Sequence, residues 1–296
     1  MVDFTKLLLT PATVHGMPLA ARRSPATVGD VTSARMFASD LDGTLLGPDH
    51  AVSARTYSAI ATAIAAGVEV VAATGRSRLT TLPVLNGTPI RWAVCSNGAL
   101  VWDRQQEAID LHRPIEAALA CDVIGHLRAT IPDVMLGWEV IGGYGFDDRY
   151  GPRPPSLGRH GVVGDQPEPT PDATVLKLFV DHPEVSTASE AMEVLGSALP
   201  DGVTGVSSGG PYLELTATGV NKASTLAMLA DRLGVAQADV TTFGDSHNDI
   251  EMLRWAGTGV AMGNAHPDVA AASDTQAPTN ADDGVAVWIE AALSGT

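Results

Sequence analysis

The sequence predicts an α/β fold, a Rossmann-like parallel-sheet core that carries an inserted α+β domain. Three observations predict it. Short apolar runs alternate with helical patterns over residues 35–112 and again over 210–296. Four of those runs end directly at polar residues, in Asp40, Thr74, Asn97 and Asp245. Between the two halves, 113–209 follows a different rhythm, with helical stretches near 116–129 and 184–199 among strand-like runs at Val134–Phe146, Thr174–Val180 and Val203–Ser207. A length of 296 residues is long for one compact core and agrees with two units.

Residues 1–34 show no sustained periodicity, and Pro11, Gly16, Pro18, Pro25 and Gly29 interrupt them. They read as a flexible extension or as an over-long gene start. Met36–Ser39 is a buried strand running into Asp40. Ser53 caps a helix with Tyr57, Ile60 and Ile64 on its apolar face and Gly67 at its close. Val68–Ala73 is the next strand, and Trp92–Cys95 the one after, ending in Ser96-Asn97-Gly98. After the insertion, the chain returns through Tyr212–Leu215 to Lys222, which opens a helix with Leu226, Leu229 and Leu233 on one face and Gly234 at its end. Val240–Phe243 is a further strand leading to Gly244-Asp245. Strands alternating with helices imply a parallel sheet covered on both faces, and ligands bind beyond the carboxyl ends of such strands. Asp40, Thr74, Asn97 and Asp245 all fall at that edge.

Composition narrows the class. No apolar run approaches the roughly 18 residues of a membrane helix, and Leu7-Leu8-Leu9 is too short for a secretory apolar region. Two cysteines, Cys95 and Cys121, make no disulfide framework and fit no metal spacing. A reduced cytoplasm is expected. A formal net charge of −16 argues against nucleic acid or an anionic membrane as partner. An acidic enzyme that holds an anionic substrate needs a bound divalent cation or local basic groups.

Four short segments, Asp40–Thr44, Ala73–Arg76, Gly219–Lys222 and Gly244–Asp249, supply the parts of phosphoryl transfer through an acyl phosphate. Asp40 is a carboxylate nucleophile, and Asp42, two residues on, can protonate the leaving oxygen and later deprotonate water. An Asp-rich turn is the alternative for the pair taken alone, but the apolar strand before it and Gly43-Thr44-Leu45-Leu46 after it favour the functional reading. In Thr74-Gly75-Arg76 the hydroxyl and the Gly75 N–H can hold phosphate oxygens, or Thr74 can simply cap a helix. Lys222 can neutralise the nucleophile and the moving phosphoryl group, or be one more solvated lysine. Asp245 and Asp249 lie four apart where a helix begins and offer the oxygen ligands that Mg²⁺ prefers, or serve as cap and dipole partners.

Read together, these segments resemble the haloacid dehalogenase superfamily, in its Cof-like phosphatase branch with a type IIB cap. The resemblance rests on Asp40-Leu41-Asp42-Gly43-Thr44-Leu45-Leu46, Ala73-Thr74-Gly75-Arg76, Cys95-Ser96-Asn97-Gly98-Ala99, Gly219-Val220-Asn221-Lys222, Gly244-Asp245-Ser246-His247-Asn248-Asp249, and Met262-Gly263-Asn264-Ala265. It implies a core of 35–112 and 210–296 and a type IIB cap of 113–209. It implies Asp40 as nucleophile and Mg²⁺ ligand, and Asp42 as general acid/base that also offers its main-chain carbonyl to the metal. Asp245 would be the third protein ligand, with Asp249 supporting the metal directly or through a neighbour. Thr74, Gly75, Lys222 and Asn248 would hold the phosphate. Asp42 argues against the dehalogenase and phosphonatase branches, which lack an acid there. Ser246-His247 departs from the Asn-Glu more usual in the family.

The expected activity is Mg²⁺-dependent hydrolysis of a small phosphorylated metabolite, a sugar phosphate being the leading class, by a monomer or homodimer. The competing enzyme reading is a phosphomutase, or a dedicated trehalose- or sucrose-phosphate type of phosphatase. A non-catalytic phosphometabolite-binding module is the alternative outside enzymes, and the intact set of Asp40, Asp42, Lys222 and Asp245 disfavours it. Substrate choice is expected from the cap, where six Lys/Arg face fourteen Asp/Glu over 113–209. Tyr144, Arg149, Arg153, Arg159 and His160 are the local candidates there, against the alternative of a solvated loop.

Overall fold

A computed structural model describes residues 34–147, 149–150, 162–165, 168–208 and 210–294. In chain order the first half holds β1 (Met36–Ser39), α1 (Ala54–Ala65), β2 (Glu69–Ala73), α2 (Arg78–Val84), β3 (Trp92–Cys95), β4 (Leu100–Asp103) and β5 (Ala108–His112). The middle holds α3 (Ala117–Thr130), β6 (Met135–Val140), β7 (Gly143–Phe146), β8 (Val162–Asp165), β9 (Val175–Asp181), α4 (Ala188–Glu190), β10 (Val203–Val206) and β11 (Leu213–Ala217). The last part holds α5 (Lys222–Arg232), β12 (Val240–Gly244), α6 (Ile250–Trp255), β13 (Thr258–Ala261), α7 (Pro267–Ala272), β14 (Thr275–Gln276) and α8 (Gly284–Ser294).

The strands make two sheets among the described residues. The core sheet runs β14-β13-β12-β1-β2-β3-β4-β5, parallel from β14 to β3, with β4 and β5 added antiparallel at one edge. Its central strands are buried throughout, so they read as continuous apolar runs rather than alternating ones. On one face, Ile60 and Ala63 of α1 pack with Trp288 and Ile289 of α8. On the other, Leu226 and Leu229 of α5 pack with Met252 of α6. Truncating either leucine to alanine would cost about 2–5 kcal/mol.

Local chemistry sets the helix ends. The Ser53 side chain accepts from Thr56 N, and Gly67 at φ 85° closes the turn after α1. The buried face of α1 is Thr56, Ala59, Ile60 and Ala63, whereas Tyr57 is 44% exposed. The expected Tyr57–Ile60–Ile64 stripe is therefore rotated, because α8 packs against the small residues. Asn221 and Ser224 close a capping box at the start of α5, which fixes the orientation of Lys222 in its first turn.

The second sheet runs β10-β11-β9-β6-β7-β8, antiparallel except for the β7–β8 pair. It departs from the sequence reading in three places. Val134–Phe146 is a hairpin rather than one strand, with the turn at Ile141 and Gly142 between β6 and β7. The 184–199 helix starts later, after the Thr187 cap, and its backbone stays helical from α4 through Ala198 with a change in hydrogen-bond spacing. Leu213–Ala217, assigned from sequence to the returning core, pairs with β9 and β10 in the second sheet. Its Leu213 and Leu215 enter the insertion's own core, so the chain regains the parallel sheet only after Ala217.

Candidate active site

The order β12-β1-β2-β3 brings Asp245, Asp40, Thr74 and Asn97 to one edge of the core sheet, each just past the end of its strand. Asp40 is 5% exposed, and its Oδ1 accepts from Lys222 Nζ at 2.6 Å. The same ammonium donates to Asp249 Oδ1 at 2.6 Å. Lys222 and Asp249 are almost wholly buried. Oδ2 of Asp249 is occupied too, accepting from the backbone N–H groups of Asp245 and Ser246 at 3.0 Å each. Asp249 thus ties the Asp245 turn to the lysine.

The loop after β1 is shaped by Gly43, at φ 78°. A Cβ there would run into the Asp245 carboxylate, so only glycine permits this approach. Thr44 Oγ1 donates to Asp245 Oδ1 at 2.7 Å, and Asn264 Nδ2 donates to the Gly43 carbonyl at 2.8 Å. Asp42 is engaged by a different cation. Its side chain is 45% exposed and is held by the Arg76 fork, with Nε on Oδ2 at 2.6 Å and Nη2 on Oδ1.

Burial pushes the Asp40 carboxyl well above the usual carboxylate range; Lys222 opposes that rise, and Asp249 and Asp245 add to it. Burial likewise pushes Asp245 up to about 6, opposed by the Thr44 hydroxyl and reinforced by Asp249. For Lys222, burial alone would favour the neutral amine, but Asp249 and Asp40 overcome it and hold the ammonium charged. Carboxylate oxygens of Asp40, Asp245 and Asp249 lie within 4.8 Å of one another. Three acids against one lysine leave an excess of negative charge in a dry pocket, and an all-oxygen donor set of this kind fits Mg²⁺. Asp40 and Asp245 fit it as ligands. Asp249, with both oxygens taken, fits as their support.

Thr74 is 1% exposed, and its Oγ1 accepts from Arg76 N at 3.1 Å. Asn248 is 6% exposed and donates through Nδ2 to Asn97 Oδ1 at 3.1 Å. Gly75 lies against the same two asparagines. The core candidates Asp40, Thr74, Gly75, Lys222, Asp245, Asn248 and Asp249 are thus brought together, and Asp42 is brought to their edge in the grip of Arg76.

The substrate-selecting candidates fare differently. Tyr144 lies in β7, is 1% exposed, packs against Phe146 and Phe179, and bonds Ser77 Oγ through its hydroxyl. It is a buried strut between cap and core rather than an open contact, because its ring is committed to an aromatic cluster. Arg149 is exposed beside Tyr150. Arg153, Arg159 and His160 lie outside the described residues.

Sequence reasoning missed the polar cluster where cap meets core. Lys177 of β9, Glu139 of β6 and Glu214 of β11 are each at most 3% exposed. Lys177 Nζ lies 2.6 Å from Glu214 Oε1 and 3.7 Å from Glu139 Oε2, and donates to the Gly75 carbonyl at 2.7 Å. Asn97 Nδ2 donates to Glu214 Oε2 at 3.0 Å, and Ser96 Oγ to Glu139 Oε1 at 2.5 Å. The available signal was a lone charge inside each of three apolar strands, in Val-Leu-Lys-Leu-Phe, Trp-Glu-Val and Leu-Glu-Leu.

Comparison with known proteins agrees with this architecture. The family model for haloacid dehalogenase-like hydrolases matches residues 37–289. A 5-amino-6-(5-phospho-D-ribitylamino)uracil phosphatase of Bacillus subtilis (strain 168) is 29% identical over 253 residues, covering 85% of this chain and 93% of that protein. An HMP-PP phosphatase of Serratia proteamaculans (strain 568) is 30% identical over 252 residues, covering 79% of this chain and 86% of that protein. Among solved structures, a subclass IIB sugar phosphatase superposes with a TM-score of 0.73 at 22% identity, over 89% of this chain and 100% of that one. The chain therefore belongs to the haloacid dehalogenase-like hydrolases, among the Cof-like phosphatases.

Proposed function

We propose that the chain is a Mg²⁺-dependent phosphatase that hydrolyses a small phosphorylated metabolite, of the sugar-phosphate class, through a phosphoaspartyl intermediate on Asp40. The observation that carries this reading is the Asp40–Lys222–Asp249 triad beside Asp245 at the sheet edge. Lys222 holds one oxygen of Asp40 and leaves the other to attack phosphorus. The bond to the leaving oxygen breaks, and Asp42 gives that oxygen a proton, which requires Asp42 to exchange Arg76 for the substrate. Water then attacks the same phosphorus, Asp42 takes its proton, and Asp40 is regenerated with release of inorganic phosphate. Thr74, the Gly75 N–H, Lys222 and Asn248 bind the phosphoryl oxygens. Asp40, Asp245 and the Asp42 carbonyl would hold Mg²⁺, which offsets the charge of those oxygens when bound. Asp249 keeps Asp245 and Lys222 in register.

The substrate class draws support from the relatives, which act on small phosphorylated compounds. The test is phosphate release from a broad phosphometabolite panel with Mg²⁺ and after chelation. Turnover that survives exhaustive chelation, or that persists in Asp40→Asn, would refute this mechanism.

A further inference from the structure

We infer that the buried Lys177–Glu214 ion pair of the cap sheet orients the two core side chains that contact phosphate, Thr74 and Asn248, so that the phosphate site is complete only with the cap seated. This rests on the phosphatase reading above. Neither Lys177 nor Glu214 touches the reacting atoms; both are positioning residues.

Two chains of hydrogen bonds leave the pair. Glu214 Oε2 accepts from Asn97 Nδ2 at 3.0 Å, and Asn97 Oδ1 accepts from Asn248 Nδ2 at 3.1 Å. A carboxylate only accepts, so it dictates which end of the Asn97 amide faces it. Asn97 must then present its oxygen to Asn248, and Asn248 must answer with its NH₂. The polarity of both amides is set from the cap. It persists although Asn248 Oδ1 is left buried without a hydrogen-bond partner. The second N–H of Asn248 is thereby available as a donor for a phosphoryl oxygen.

The other chain begins at Lys177, whose Nζ donates to the Gly75 carbonyl at 2.7 Å. The Gly75–Arg76 peptide is planar and trans, so fixing its carbonyl fixes its N–H in the opposite direction. That N–H, on Arg76, donates to Thr74 Oγ1 at 3.1 Å. A Thr74 oxygen that accepts there keeps its own hydrogen for a ligand. Gly75 leaves the space in which the two chains meet, since a Cβ would sit 2.9 Å from Asn97 Oδ1, 3.3 Å from Glu214 Oε2 and 3.5 Å from Asn248 Nδ2. Asn97 itself holds a left-handed backbone, φ 54° and ψ 31°, which places its amide between Glu214 and Asn248.

The test compares wild type, Glu214→Gln and the charge-neutral double variant Lys177→Met/Glu214→Gln. Glutamine keeps the shape but offers Asn97 either an oxygen or an NH₂, so it no longer dictates polarity. With p-nitrophenyl phosphate and glucose 6-phosphate as substrates and Mg²⁺ present, we expect kcat/KM to fall at least tenfold by the same factor on both. The inhibition constant for inorganic phosphate should rise by a similar factor, with a cooperative melt retained. Folded variants within twofold of wild type would overturn the inference, as would a loss confined to one leaving group, which would make the pair a leaving-group contact. If the variants do not fold, side-chain amide exchange in the wild type decides. The Asn97 and Asn248 NH₂ protons should be protected relative to those of exposed Asn86, and equal exchange would overturn the relay. Wild type inert on every substrate would count against the phosphatase reading alone, since the exchange measurement still tests the relay.

Discussion

Two lysines of this molecule are wholly buried, and each sits between two carboxylates. In the core, Lys222 lies 2.6 Å from both Asp40 and Asp249. In the cap, Lys177 lies 2.6 Å from Glu214 but 3.7 Å from Glu139, and spends a further hydrogen on the Gly75 carbonyl. The surroundings separate them further. Lys222 has a third acid, Asp245, beside its pair, and burial, with the neighbouring carboxylates adding to it, holds Asp40 and Asp245 above their ordinary range. Around Lys177, the extra partners are the neutral donors Ser96 and Asn97. Lys222 leaves an excess of negative charge beside it, of the kind a divalent cation would offset. Lys177 binds one glutamate closely and ties the second sheet to the Gly75 loop.

The largest expected difference is in turnover. Asp40→Asn should abolish it, since removing a covalent nucleophile can cost on the order of 10⁶-fold, while the parallel sheet stays intact by circular dichroism. Lys222→Met and Lys177→Met should each destabilise by about 3–5 kcal/mol, because each strands buried carboxylates. Only Lys222→Met should leave phosphate release undetectable in protein that remains folded. Equal residual activity in the two would erase the distinction between a reacting lysine and a joining one.

Next comes the acid that Arg76 holds. Asp42→Asn should lose about 10²–10⁴-fold in kcat, the usual range for one general acid/base. Arg76→Ala tests whether the Arg76 fork merely parks Asp42. It should change kcat by far less than Asp42→Asn. If Arg76→Ala matched Asp42→Asn, the arginine would be part of the chemistry.

The contrast between the two lysines also explains what the sequence disclosed. In the core, Asp40, Thr74, Asn97 and Asp245 were legible because a parallel sheet puts every strand end on one edge, so order along the chain predicts proximity. The capping residue Ser53 was readable from its place just before an apolar helical pattern, whereas the Asn221 cap was not singled out. The cap gave less. Its sheet is antiparallel and joins β9, β11 and β6 from far-apart stretches, so nothing local announced that Lys177, Glu214 and Glu139 would meet. Glu214 was further hidden by placing its strand in the core. The basic residues chosen for the cap loop were the visible charges, whereas the charges that reach the core loops lay one to a strand inside apolar runs.

Gly75→Ala presses on that junction with one methyl group. The new Cβ would lie 2.9 Å from Asn97 Oδ1, tighter than packed atoms allow, so Asn97 must move. A displacement of this size near a phosphate site can cost up to about 10²-fold, and we expect roughly tenfold in kcat/KM. Gly142→Ala is the control for adding a methyl group, because Gly142, like Gly75, lacks a positive φ but has open space around it. Equal losses in both would assign the effect to lost backbone freedom rather than to the Asn97 contact.

The smallest effect separates the two acids of Lys177. Burial is the largest influence on both and works to raise both; Lys177 and Asn97 overcome it at Glu214, which ends lowered. At Glu139 burial wins over Lys177 and Ser96, and the group ends raised. Glu139 Oε2 is buried without a hydrogen-bond partner, in keeping with its 3.7 Å separation from the ammonium. The signs then oppose each other. A carboxyl raised in the fold binds more protons folded than unfolded, so its contribution to stability declines as pH climbs from the ordinary glutamate range through the raised folded value. A lowered one contributes stability above the ordinary range and loses it as pH falls through the lowered folded value. Glu139→Gln removes the first contribution and keeps the Ser96 contact through its amide oxygen. Its stability relative to wild type should therefore improve as pH rises above the ordinary glutamate range, by urea midpoints at constant slope. Glu214→Gln should show the reverse below pH 5, its deficit shrinking as the medium is acidified. A Glu139→Gln deficit that grew with pH would mean that Glu139 is as tightly held by Lys177 as Glu214 is, and that the cap lysine has two full partners like its counterpart in the core.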